Sequence, residues 1–163
     1  MSAYIWNANP EKWHAATPNQ DSWASLEAYL NDPSNYVYWS TPQLRDKIRI
    51  GDAAYIWRTQ YKQHRSGIVA VGEVAERPME IHKGSFLRPA RLPAAGWNES
   101  EAPSKWKTGI RITHIFWKNA LRPTEFKPAQ GTVRTLSPAE VAALDKLVRG
   151  RTGHGATGSE TKP

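Results

Sequence analysis

The sequence predicts an α+β fold: a small, curved, mostly antiparallel sheet or barrel of five or six strands with short helices at its periphery. Three observations carry that expectation. Short runs of aromatic and β-branched residues recur along the chain, separated by clusters of Asn, Pro, Gly and Asp, which is the pattern of strands joined by turns. Helical stripes are short and few, the clearest at residues 21–30 and 138–148, so strands do not alternate with the helices a parallel α/β sheet requires. The 163 residues suffice for one buried core but not for several domains.

The elements follow in order. Ala3-Tyr4-Ile5-Trp6 is a short apolar run closed by Asn7-Ala8-Asn9-Pro10, a strand ending in a tight turn. Asn9 and Pro10 then suit the cap and first position of one helical turn through Trp13. Trp23, Leu26 and Leu30 share one face of a helix starting near Asp21. Residues 36–39 form a strand, and Thr41-Pro42 has the chemistry of a helix start. Gly51-Asp52 turns into the strand Ala53-Ala54-Tyr55-Ile56-Trp57-Arg58, and residues 59–66 form a hairpin loop. Residues 67–74 return as a strand whose paired glycines, Gly67 and Gly72, mark a bulge or a close backbone approach. The Pro-, Gly- and Ala-rich stretch 77–106 admits one strand at 86–92, and residues 107–117 alternate as another. Ser137-Pro138-Ala139-Glu140 is a capping box, and Val141, Leu144, Leu147 and Val148 give the helix behind it about three turns with an apolar stripe. Residues 1–149 are thus one domain, and residues 150–163, lacking an apolar anchor, a disordered tail or linker.

Composition narrows the function classes. The chain has no Cys, which excludes a disulfide scaffold, a thiol nucleophile and a zinc ribbon. His14, His64, His82, His114 and His154 are scattered with no ligand pair at helical spacing, and neither a nucleophile elbow nor a dinucleotide fingerprint is present. The residues therefore argue for a binding module rather than an enzyme, and no cofactor or metal is implied. No apolar run approaches a membrane span, and the first residues lack the charged-then-apolar order of a signal peptide. The expectation is a soluble cytoplasmic domain with no membrane partner.

The net charge of +7 is uneven: residues 1–40 hold one Lys against four acidic side chains, whereas residues 41–163 hold 21 basic against 11 acidic ones. A basic segment with interleaved aromatics suits a polyanion. Arg45, Lys47, Arg49, Arg58, Lys62 and Arg65 are its candidate phosphate contacts. Eight Trp exceed the six Tyr and three Phe, and position divides them. Trp6, Trp13 and Trp23 read as packing. Trp39 ends a strand and is followed at once by Ser40 and Thr41, Trp57 by Arg58, and Trp6 by Asn7-x-Asn9. A ring beside short polar groups at a strand end suits a planar heterocycle, the ring stacking on its face and the polar groups reading its edge.

These residues also carry a family resemblance. Tyr4-Ile5-Trp6-Asn7-Ala8-Asn9-Pro10-Glu11-Lys12-Trp13 resembles the opening of EVE domains, which belong to the PUA-like superfamily. Tyr38-Trp39-Ser40, Arg49-Ile50-Gly51-Asp52 with Tyr55-Ile56-Trp57-Arg58, and the segment 67–74 match in the same order. The match runs from Tyr4 to about Leu147, strongest through Val74. The resemblance implies a PUA-like curved β-barrel with flanking helices and a pocket for a modified nucleobase, most often a modified cytosine in DNA. Methylated adenine or another base in RNA, as in the related YTH domains, is the alternative ligand, and a small hydrolase of the ASCH type is the alternative activity. It further implies a sensor role in modification-dependent restriction, with a fused or associated nuclease. Carried over by residue, Trp39 is the stacking aromatic, Ser40 and Thr41 line the pocket, Asn7 and Asn9 form a polar pair, and Trp57 and Arg58 lie on the neighbouring strand. Trp97, Trp117 and Trp106 are the candidates for a second aromatic wall.

Overall fold

The structure is a computed structural model and describes residues 1–8, 37–59, 66–82, 104–116, 119–123 and 133–160. The strands are β1 (Ala3–Ala8), β2 (Val37–Ser40), β3 (Ala53–Arg58), β4 (Gly67–His82), β5 (Ser104–Ile115) and β6 (Val133–Thr135), followed by the helix α1 (Pro138–Glu160). The strands form one six-stranded sheet in the order β2-β5-β4-β3-β1-β6. All pairings are antiparallel except β1 with β3, which run parallel from Ala3↔Ala53 to Ala8↔Arg58. The expected helices at 10–13 and 21–30 and the expected strand at 86–92 lie outside the described residues. No helix among the described residues is long and apolar enough to cross a membrane.

Curvature is read from three side chains. β2 and β1 are four strand steps apart in the sheet, about 19 Å if the sheet were flat. Yet the Trp39 indole N–H donates to the Asn7 carbonyl at 2.9 Å, and the Trp6 indole N–H reaches Thr41 Oγ1 at 3.4 Å. Tyr4 Oη donates to the Lys47 carbonyl at 3.2 Å. The sheet is therefore strongly curled. Side chains rather than a backbone ladder bring its β2 edge against β1, and among the described residues the sheet is not closed.

The two faces bury separate cores. Tyr4, Trp6, Ile48, Ala54, Ile56, Val69, Val74, Ile110, Ile112 and Val133 fill the concave side. Ile5, Tyr55, Trp57, Ile68, Phe116 and Leu121 form the convex side, covered by Leu144 and Val148 of α1 with Val141 and Leu147 packed beside them. The strict alternation along β1 and β3 assigns each residue to one face. The helix is fixed at its start by the expected capping box: the Glu140 N–H donates to Ser137 Oγ at 3.2 Å and the Ser137 N–H to Glu140 Oε1 at 3.0 Å. Tyr55 Oη donates to Asp145 Oδ1 at 2.6 Å and ties the middle of the helix to β3. That carboxylate, after burial itself, pushes the phenol further up from its ordinary pKa.

Several elements differ from expectation. β4 continues eight residues beyond Val74 because β5 starts early enough to pair with it as far as His82↔Ser104. Pro78, read as loop chemistry, falls where the ladder shifts between Glu76 and Met79, the position at which a sheet tolerates a missing N–H. The Gly72 expectation is met: the register shifts there, and a Cβ on Gly72 would lie 2.0 Å from the Arg111 carbonyl oxygen. No helix starts at Thr41. Its hydroxyl is engaged elsewhere, and Leu44 has φ 62°, which breaks a right-handed helix. β6 is three residues long and carries too little pattern to be foreseen. The helix runs 23 residues, to Glu160, beyond its apolar stripe, since propagation from a capped and packed start adds one hydrogen bond per residue.

Candidate nucleic-acid interface

β2 and β5 build the core of the site. Their register sets Trp39 opposite Thr108 and Ser40 opposite Lys107, and the Thr41 N–H donates to the Trp106 carbonyl at 2.9 Å. Opposed residues of an antiparallel pair share a face, as do residues two apart. Trp39, Thr108, Thr41 and Trp106 thus make a two-by-two block on the concave face, with the two Trp on one diagonal and the two Thr on the other. Both Thr are fully buried and both Trp are half-buried. Trp39 packs against the concave core, its ring fixed by the bond to the Asn7 carbonyl.

Thr41 does not offer its hydroxyl to a ligand. Its Oγ1 donates to the Trp39 carbonyl at 3.0 Å, meets Thr108 Oγ1 in a hydroxyl pair, and accepts from Trp6. One donor and two acceptor sites are all a hydroxyl has, so Thr41 is a brace for the aromatic block. Asn7 likewise contributes to the concave face through its carbonyl. Strand alternation puts its side chain on the convex side with Ile5 and Trp57.

Trp57 is not brought to the block: it is buried on the convex face among Phe116, Leu121 and Leu136. Arg58 follows on the concave side but is only 4% exposed, and burial lowers its pKa; it is not a surface phosphate contact. Arg45, Lys47 and Arg49 are exposed along the connection from β2 to β3. Arg45 also lies over the Trp106 ring, Cζ 4.6 Å from its centroid. That connection ends in a stiff turn. Asp52 accepts from the Arg49 and Ser2 N–H groups through its two carboxylate oxygens, at 2.9 and 3.2 Å, and Gly51 supplies φ 93°. The Gly-Asp pair of the sequence is thus a structural device beneath the basic connection. Ser40 lies in β2 opposite Lys107, and its side chain is not described. Asn9, Trp97, Trp117, Lys62 and Arg65 lie outside the described residues. Sequence reasoning missed the Arg45–Trp106 stack, for which the only signal was a half-alternating run, Trp106-Lys107-Thr108, at the start of β5.

Fold and site together define an α+β domain with a curled sheet whose concave face presents a braced pair of Trp beside exposed cations. The same fold occurs in a protein from Pseudomonas putida, at TM-score 0.54 and 13% identity over 89% of this chain and 98% of that one. It also occurs in a hypothetical protein from Leishmania major, at TM-score 0.54 and 12% identity over 93% and 97% of the two chains. A looser likeness, TM-score 0.42 and 12% identity over 94% of this chain and 80% of the other, is to human THYN1, solved in complex with DNA containing 5-methylcytosine. No family model and no curated protein matches the chain.

Proposed function

We propose that this chain is a non-enzymatic nucleic-acid-binding module of the EVE type that takes a modified base, 5-methylcytosine or 5-hydroxymethylcytosine in DNA, against Trp39. The observation that carries the reading is the placement of Trp39: a half-buried ring on the concave face, pinned at its indole N–H, in one block with Trp106 and next to the cations of the β2–β3 connection. A ring held this way can stack on a base without first losing its own freedom.

The energetics require both parts of the site. A base within a duplex has to leave the stack to meet a protein ring, which costs a few kcal/mol. Stacking on an aromatic returns about 1–3 kcal/mol, so the two roughly cancel. Net affinity then comes from phosphate contacts by Arg45, Lys47 and Arg49. A methyl group alone adds about 0.8 kcal/mol, roughly fourfold. Larger discrimination needs a polar edge contact, for which Ser40 and Asn9 remain the proposed groups. A role as the sensor of a modification-dependent nuclease follows from the same proposal.

Titration of the intrinsic Trp fluorescence with duplex and single-stranded DNA and RNA, plain or modified at cytosine or adenine, tests the reading. Preference for modified-cytosine duplex is expected. Equal affinity for every oligonucleotide would contradict it, and preference for methylated adenine in RNA would redirect it.

A further inference from the structure

We infer that the β2–β3 connection is a one-sided track for the duplex flanking the read base, reaching about five base steps from Trp39 and ending at Ile50. The inference rests on the base-reading function above and extends it from the base to its neighbours. Four contacts fix the path of the connection against β1. The Trp39 indole N–H donates to the Asn7 carbonyl, and the Trp6 indole N–H to Thr41 Oγ1. Tyr4 Oη donates to the Lys47 carbonyl, and the Ser2 N–H to Asp52 Oδ1. As residue numbers rise from 39 to 52 along the connection, those of the partners fall from 7 to 2. The connection therefore runs antiparallel beside β1. Those five strand steps, Ser2 to Asn7, cover about 17 Å, which is the reach from the Trp39 anchor to the turn at Asp52.

Side chains along this path divide between anchors and exposed cations. Ile48 is buried in the concave core and Leu44 packs against it, whereas Arg45, Lys47 and Arg49 are exposed. Asp46 is the one exposed carboxylate among them, so cations prevail three to one. Each strand of a duplex carries a phosphate about every 3.4 Å of axis, so a cationic line of about 17 Å matches about five steps. At the far end, the Arg49 carbonyl accepts from the Asp52 N–H at 3.1 Å, and Gly51 supplies φ 93°, the form of a type II turn. The Gly51 N–H donates to the Val74 carbonyl at 2.9 Å, and the Val74 N–H to the Asp52 carbonyl at 2.8 Å. This stiff turn holds out Ile50, 68% exposed. Ile50 and the first residue, Met1, are the large apolar side chains left exposed among the described residues. A β-branched side chain is stiff at χ1, so Ile50 gives up little freedom on entering a groove. An apolar side chain beside cations is what presses between base steps in proteins that bend a duplex.

The test moves a single 5-methylcytosine stepwise along a duplex of fixed length. Each duplex, with its unmodified counterpart, is titrated into the full chain at several salt concentrations. Affinity should fall once the flank on one side is shorter than about five steps, and should tolerate a much shorter flank on the other. With the long flank present, Arg49→Ala should reduce the salt slope by about 0.9. Ile50→Ala should weaken binding about 4- to 14-fold, the worth of one or two buried CH₂ groups. Both losses should vanish on duplexes truncated on that side, and Ile50→Leu should keep most of the affinity. Both side chains are exposed, so melting temperatures should stay at the wild-type value. Equal dependence on the two flanks, unchanged binding in either alanine variant, or losses that persist without the long flank would overturn the inference. Equal wild-type affinity for cytosine and 5-methylcytosine at every position would instead remove the base-reading function beneath it, so the two failures are distinct.

Discussion

Thr41 spends its hydroxyl inside the protein rather than at the surface of the aromatic block. Its single hydroxyl serves Trp39, Thr108 and Trp6 at once, which exhausts its capacity. Thr41→Val keeps the shape but leaves the buried Trp6 indole N–H without its acceptor. The expected cost is about 1–3 kcal/mol, or a melting temperature lower by roughly 2–4 °C per kcal/mol, with the ratio of modified to plain binding preserved. Thermal denaturation beside the titration checks it; lost preference at unchanged stability would mean that Thr41 reads the base. The run Trp39-Ser40-Thr41 was legible in the sequence as a ring followed by two hydroxyls. The direction of the Thr41 hydroxyl was not, because its partners come from β1 and β5, 35 and 67 residues away. The contact of Asn7 with Trp39 was hidden for a related reason: it is made by the backbone carbonyl, which no side-chain pattern announces.

At the scale of elements, local signals were read well and pairing signals poorly. The capping box and the stripe of α1 are both set within a few residues and both stand. The length of β4 and the existence of β6 depend on what lies alongside them, and no local pattern announces a partner. The start of α1 also carries a pH dependence. Arg134 grips Glu140 with two N–H···O bonds at 3.1 and 2.8 Å, and together with Ser137 it lowers the Glu140 pKa from 4.5 to about 2. A carboxylate held more acidic in the folded chain binds protons first when unfolded. Its stabilisation is therefore complete above about pH 5 and lost as pH falls towards 2. Glu140→Gln should lower the melting temperature at pH 7 by roughly 2–4 °C, for a loss of about 1 kcal/mol. The difference should shrink to nothing near pH 2, and melting curves across that range decide it. A constant difference at all pH values would show that the charge is not the cause. Beyond Thr152 the helix carries glycines at positions 153, 155 and 158, each about 1 kcal/mol poorer than Ala. Backbone amides there should exchange with solvent much faster than those of residues 141–148, as hydrogen exchange would record; equal protection would imply a packing partner for that segment.

At the scale of the whole molecule, the two faces of one sheet are covered differently. The convex face is sealed by α1, and the concave face carries the braced aromatic block at its β2 edge. The sequence announced a curved antiparallel sheet and an excess of Trp, but the face on which each Trp lies depends on register and curl. That is why Trp57 and Trp39, similar in their flanks, have opposite fates. Charge works at the same scale: three exposed cations on one connection should give duplex binding a salt slope near −2.7, at about −0.9 for each phosphate contact. A flat response between low and moderate salt would remove them from the interface. The central claim, that Trp39 is the ring on which a modified base stacks, is tested most directly by titrating Trp39→Ala and wild type with otherwise identical duplexes carrying cytosine or 5-methylcytosine. The account predicts that the variant, still folded by circular dichroism, binds both duplexes equally and with the wild-type salt slope. A preference for 5-methylcytosine retained in that variant would contradict it.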